Sequence, residues 1–121
     1  MSLHESGEDY LEAILMLREK NGSVRSIDVV QHLGYSKPSI SWAMSIIRTN
    51  GYITMESDGR LLLTTEGEAV ARSVYERHQF LSRWLVRLGV SPETAARDAC
   101  RIEHHISPET FDCLKRYVGE V

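Results

Sequence analysis

The stretch Ser26 to Gly51 restricts this chain's folding more than any other part of it. From Ser26 to Leu33 the apolar residues Ile27, Val29, Val30 and Leu33 recur at helical spacing, and Gly34 follows as a left-handed stop. Ser36 then caps a second segment, with Pro38 near its start, where a missing N–H costs little. Ile40, Ala43, Met44, Ile46 and Ile47 share one face of it, and Asn50 and Gly51 end it. Two short helices joined by a tight glycine-containing turn, crossing at about 90–120°, form a helix-turn-helix. A wing follows: Tyr52 to Glu56 reads as a strand, Ser57, Asp58 and Gly59 as a turn, and Arg60 to Leu63 as the returning strand.

Helices dominate the rest. Glu8 to Lys20 carries Leu11, Ile14, Leu15 and Leu17, with Tyr10 and Ala13 beside them, and stops at Asn21 and Gly22. Thr64 and Thr65, with Glu68 at capping-box spacing from Thr65, predict a long helix to about Leu88, stopped by Gly89. Ser91 and Pro92 predict a fifth helix to about Ile106, and Ser107 and Pro108 a last one. The expected fold is mainly α, with a winged helix-turn-helix domain over 1–64 and a helical domain over 65–121. The long helix, about 65–88, links them.

Composition narrows the setting. A chain of 121 residues can bury one core, or two small cores sharing a helix, and its 42% hydrophobic and 26% charged content is that of an ordinary globular protein. No apolar run approaches the roughly 20 residues of a membrane span, and the start, MSLHESGEDY, lacks a basic stretch followed by an apolar core. A cytoplasmic location without membrane association is expected. Cys100 and Cys113 are too few for a disulfide scaffold. The formal charge of -3 argues against nonspecific polyanion binding, yet between Arg18 and Arg60 basic residues outnumber acidic ones.

A helix-turn-helix sets its second helix in the major groove of double-stranded DNA. The positions facing it here are Ser36, Lys37, Pro38, Ser39, Ser41, Trp42, Ser45 and Arg48. Small hydroxyls let a helix sit deep and bond bases or phosphates, while Lys37, Arg48 and Arg25 neutralise the backbone. Arg60, beside the wing turn, can meet a phosphate or the minor groove. Each serine reads equally as a solvated face, and Trp42, opposite the apolar stripe, can pack on the wing as well as on a thymine methyl or a sugar.

A second constellation carries metal-ligand chemistry. Asp9 and Glu12 share a face of the first helix, and Cys100, Glu103 and His104, at i, i+3 and i+4, share one on the fifth. His78 points in a direction similar to Leu81 and Leu85. Singly, these residues read as a solvated face, a small buried thiol and a core histidine. Together they offer oxygen, nitrogen and sulfur donors from three helices to one divalent cation.

The strings EDYLEAI (Glu8 to Ile14), RSIDVVQHLGYSKPSIS (Arg25 to Ser41), LTTEGEAVA (Leu63 to Ala71), RHQFLSRWL (Arg77 to Leu85) and ACRIEHHIS (Ala99 to Ser107) resemble, in order, the diphtheria-toxin-repressor family of metal-dependent regulators. The resemblance implies a homodimer that binds palindromic operators of metal-uptake genes when Mn(II) or Fe(II) is held. It implies Asp9, Glu12, His78, Cys100, Glu103 and His104 as ligands, and a second domain that binds metal and dimerises. Trp84, Leu85, Leu88 and Ile102 are the expected dimer surface.

Asp9 and Glu12 match the manganese branch of that family and Cys100 the iron branch, so Mn(II) is expected first and Fe(II) next. A thiolate favours later metals such as Co(II), Ni(II) and Zn(II). Ser82 and Ala96 stand where the iron branch has its ancillary ligands, so that second site is not expected. His105, His4 and His32 read as surface or supporting residues. Family members continue past the point where Val121 ends, so a shortened last helix or a truncated chain is expected. The competing readings are a metal-independent winged-helix regulator with a redox or small-molecule switch, with Cys100 as its thiol, and a small metallohydrolase. The helical setting of the ligands weighs against an enzyme.

Overall fold

Caps and stops set the boundaries of the elements in the computed structural model, which describes residues 5–119. In order they are α1 (Glu5–Asn21), α2 (Ser26–Leu33), α3 (Lys37–Thr49), β1 (Ile53–Met55), β2 (Leu61–Leu63), α4 (Thr65–Arg87), α5 (Pro92–Ile102) and α6 (Pro108–Leu114), with a π-helical turn at Lys115–Gly119. No described helix is long and apolar enough to cross a membrane. The described residues divide into two compact units, with the boundary between Arg72 and Ser73 inside α4. His4 lies outside the described residues.

In the first unit, Ser36 Oγ accepts from the Ser39 backbone N–H at 3.3 Å and caps α3, and Gly34 ends α2 at φ 75°. The Asp28 carboxylate accepts from the Arg25 N–H at 2.8 Å and starts α2. Leu11, Ile14 and Leu15 of α1, Val29 of α2, Ile40 and Ile47 of α3, and Ile53 and Leu61 of the hairpin form the buried core. Each such side chain contributes about 1.5–3 kcal/mol relative to exposure. The hairpin is antiparallel, with Ile53 opposite Leu63 and Met55 opposite Leu61. Its outer edge continues the pairing: Leu61 N donates to Val24 O at 2.7 Å and Arg25 bridges Arg60.

The start of α4 differs from the expected capping box. Thr64, not Thr65, is the cap: its Oγ1 accepts from Gly67 N at 3.1 Å and donates to Gly51 O at 2.6 Å. Gly67 sits so close beneath this turn that a Cβ there would lie 1.9 Å from Tyr52 O. Glu68 reaches sideways instead of back, bonding Arg18 of α1 and Arg72 of α4, each at 2.9 Å. These two arginines hold its carboxyl down at about 2.

In the second unit, Val74, Leu81, Ala95, Ala99 and Phe111 are buried, and Phe80 meets Phe111 edge to face at 5.5 Å. Helix α5 ends at Ile102, four residues before the expected Ile106, and Glu103 to His105 form a turn. Proline at 108 forces the preceding residue off the α conformation, and Ser107 is extended at φ -71°, ψ 156°. Arg77 also draws two carbonyls of this segment off the helical path, at Glu103 and Ile106. Glu103 and His104 therefore stand on a turn and not on the helix that carries Cys100.

Candidate metal centre and nucleic-acid interface

Glu103 is the centre of the second unit's polar cluster. Its side chain is fully buried, and Oε2 lies 2.9 Å from His78 Nδ1 on α4. Its other oxygen, Oε1, accepts no hydrogen bond, although His104 Nε2 is 3.4 Å away. The thiol of Cys100, a Glu103 carboxylate oxygen and a ring nitrogen of His104 lie within 4.8 Å of one another. Burying a carboxylate is costly unless positive charge or hydrogen bonds satisfy it. A buried carboxylate with an unsatisfied oxygen, two imidazoles and a thiol is a donor set that fits a divalent transition metal.

Asp9 and Glu12 stand three residues apart on α1, in the first unit. Asp9 is half-buried, while Glu12, at 8% exposure, is one of two buried charged residues among those described; Glu103 is the other. His105 and His32 are exposed, as is Cys113.

The second helix of the helix-turn-helix presents a polar face. Lys37, Pro38, Ser39, Ser41, Trp42, Ser45 and Arg48 are all exposed, against Ile40, Met44 and Ile47 on the buried side. Ser36 is also exposed, but its hydroxyl is engaged with Ser39 Oγ at 2.8 Å as well as with the cap. Trp42 is 70% exposed and lines a shallow groove with Tyr10, Pro38, Ser39 and Ala43. At the wing, Arg60 Nε pairs with Asp58 at 2.9 Å, and Arg25 Nε donates to Asp58 O at 3.3 Å. One aspartate thus holds both wing arginines.

Comparison with known proteins agrees in both units. Residues 2–61 match the family profile described as iron dependent repressor, N-terminal DNA binding domain, and residues 64–121 that described as iron dependent repressor, metal binding and dimerisation domain. Transcriptional regulator MntR of Escherichia coli O157:H7 is 40% identical over 110 residues, which cover 91% of this chain and 71% of that protein. The chain belongs to the diphtheria-toxin-repressor family. MntR of Salmonella typhimurium is 41% identical over 113 residues, 93% of this chain and 72% of its own. The solved manganese regulator SloR superposes with a TM-score of 0.84 at 22% identity, over 98% of this chain and 55% of its own, so the chain spans about half of that protein. As a member of the diphtheria-toxin-repressor family, the chain is a metal-dependent, DNA-binding transcriptional repressor and not an enzyme. Membership favours this over a metal-independent regulator.

Three residues in these sites were not among those singled out from the sequence. Arg77 anchors the turn that carries Glu103 and His104, Asp58 orders the wing arginines, and Gly67 allows α4 to start against Tyr52. A glycine inside a helix start is a signal of close approach. Arg77 and Asp58 carry no such mark in one sequence, because charged residues at helix and turn positions are the rule.

Proposed function

We propose that this chain is a manganese-responsive repressor of metal-uptake genes, with Fe(II) the next metal in order, acting in the cytoplasm as a homodimer on palindromic operators. The domains are 1–64 for DNA and 65–121 for metal and dimerisation. The observation that carries this reading is Glu103, a buried carboxylate between His78 and His104 with an oxygen that accepts no hydrogen bond. The proposed ligands are Asp9, Glu12, His78, Cys100, Glu103 and His104. Carboxylates from Asp9, Glu12 and Glu103 are hard donors suited to Mn(II), and the match of Asp9 and Glu12 to the manganese branch supports the same order, as does 40% identity to regulators named MntR.

A bound divalent ion supplies the positive charge that lets these carboxylates approach one another. Asp9 and Glu12 then tie α1, and with it the recognition helix α3, to the segment bearing His78, Cys100, Glu103 and His104. Fixing α3 in each protomer sets the spacing of two recognition helices for successive major grooves. Metal thereby favours the DNA-competent state through differential binding. Lys37, Arg48, Arg25 and Arg60 neutralise phosphates, while Ser36, Pro38, Ser39, Ser41, Trp42 and Ser45 face the groove. Trp84 and Leu85 on α4, Leu88 just beyond it and Ile102 at the end of α5 form the proposed dimer surface; Leu88 is 63% exposed in the single chain.

The test is operator binding, with the operator selected from a random duplex pool, titrated against Mn(II) and Fe(II) separately. Affinity should rise with Mn(II) at lower free concentration than with Fe(II) and fall on chelation. DNA affinity indifferent to chelator would overturn the reading.

A further inference from the structure

The turn Glu103–Ile106 holds a buried carboxylate and a buried imidazole, yet a turn is a poor platform for a site needing fixed geometry. One side chain ties it down. Arg77, immediately before His78 on α4, donates from Nη1 to Glu103 O at 3.2 Å and to Ile106 O at 3.0 Å. Its guanidinium also lies 5.5 Å from the centroid of Phe111, which is itself braced edge to face by Phe80. Both carbonyls follow the last turn of α5, where backbone acceptors lose their helical partners and a cation is favoured by the helix dipole.

From this geometry we propose that Arg77 is the positioning residue of the metal centre, a reading that rests on the metal function proposed above. Arg77 and His78 are neighbours on one rigid helix, so the bonds from Arg77 set the turn's distance from the His78 ring. Bringing the turn to α4 also delivers the Glu103 carboxylate, already 2.9 Å from His78 Nδ1, in its ligating place. The Glu103 carbonyl is occupied by Arg77, which leaves the carboxylate as the group that this residue presents. Without Arg77, the turn must be ordered at the moment of binding, and affinity falls. Outer residues that orient metal ligands typically change affinity about 10–100-fold.

Arg77→Ala, Arg77→Lys and, as a stability control at a buried position outside this contact, Val74→Ala are compared with wild type by calorimetric Mn(II) titration, Co(II) visible absorption and melting of the metal-free protein. Arg77→Ala should bind Mn(II) about 10–100-fold more weakly and shift the Co(II) bands. Arg77→Lys should fall between, because one ammonium lacks the planar fork of guanidinium. Val74→Ala should lower the melting point while keeping the Co(II) spectrum. The proposal is overturned if Arg77→Ala, or Arg77→Lys should the alanine variant fail to fold, binds as wild type with an unchanged spectrum. It is equally overturned if Val74→Ala loses as much metal affinity as Arg77→Ala. Failure of the metal function itself is distinct: wild type would then bind neither Mn(II) nor Co(II), and both readings would fall.

Discussion

His78 Nδ1 lies 2.9 Å from Glu103 Oε2, so an imidazole–carboxylate contact, alongside the two Arg77 hydrogen bonds, joins helix α4 to the turn after α5. Within the second unit, this pair brings together an oxygen and a nitrogen donor that are far apart in sequence. Its burial is unfavourable for a lone carboxylate, and cation binding relieves it.

Glu103→Gln therefore separates metal binding from folding. Without metal, its melting point should equal or exceed that of wild type, because a buried charge has been removed. Metal at a hundredfold excess over Kd stabilises a folded protein by about 2.7 kcal/mol, and the variant should lose nearly all of that increment. Thermal melts with and without Mn(II) decide it; an undiminished Mn(II)-induced rise in Tm would remove Glu103 from the ligand set.

Gly67→Ala sets two rules against each other. Helix propensity alone favours alanine by about 1 kcal/mol. The new Cβ, however, would meet Tyr52 O at 1.9 Å, a clash with backbone that cannot swing aside. Overpacking of this kind costs about 1–3 kcal/mol, so the variant should be less stable than wild type by urea melting. A stabilised variant would show that α4 does not start against Tyr52.

Glu68 predicts an acid-sensitive link between α1 and α4. Its folded value of about 2 lies below its ordinary 4.5, so its ion pairs with Arg18 and Arg72 add stability that is full above pH 4.5. That contribution fades as pH falls from 4.5 through about 2. The urea-midpoint difference between wild type and Glu68→Gln should be largest near neutral pH and vanish below about 2. A pH-independent difference would contradict the assigned pairing.

Trp42 and Lys37 should affect DNA binding in different ways. Trp42, 70% exposed on the recognition helix, offers apolar surface without charge. Trp42→Ala should lower operator affinity by about 1.5–3 kcal/mol, the loss of one buried apolar side chain, and leave the salt dependence unchanged. Lys37→Ala should weaken binding across sequences and reduce the salt slope by about 1. Filter-binding or fluorescence titrations over a range of salt concentrations distinguish these outcomes; a changed slope for Trp42→Ala would place it outside the base-contacting face.

Local signals made the winged helix legible. The boundaries of α2, the Ser36 cap of α3 and the Gly34 stop follow from short-range preferences, in which each residue's effect is confined to one turn of backbone. The apolar stripe of Ile40, Ala43, Met44, Ile46 and Ile47 likewise marked Ile40, Met44 and Ile47 as buried and left Trp42 outside, because helical periodicity converts directly into faces, while Ile46 at the stripe's margin is 37% exposed. His78, Cys100, Glu103 and His104 were also readable as candidate donors by type, since metal chemistry limits which side chains can serve.

Tertiary structure decided the rest, because it depended on which distant groups meet. Spacing placed Glu103 and His104 on the helix of Cys100, but α5 ends at Ile102 and Arg77, from another helix, holds the turn. Capping chemistry offered Thr65 and Glu68 as a pair, yet Thr64 caps α4 and Glu68 is drawn to Arg18 on α1. That His78 and Glu103 meet is likewise a property of packing. Periodicity assigns each a face of its own element, and only the fold brings the two faces to 2.9 Å.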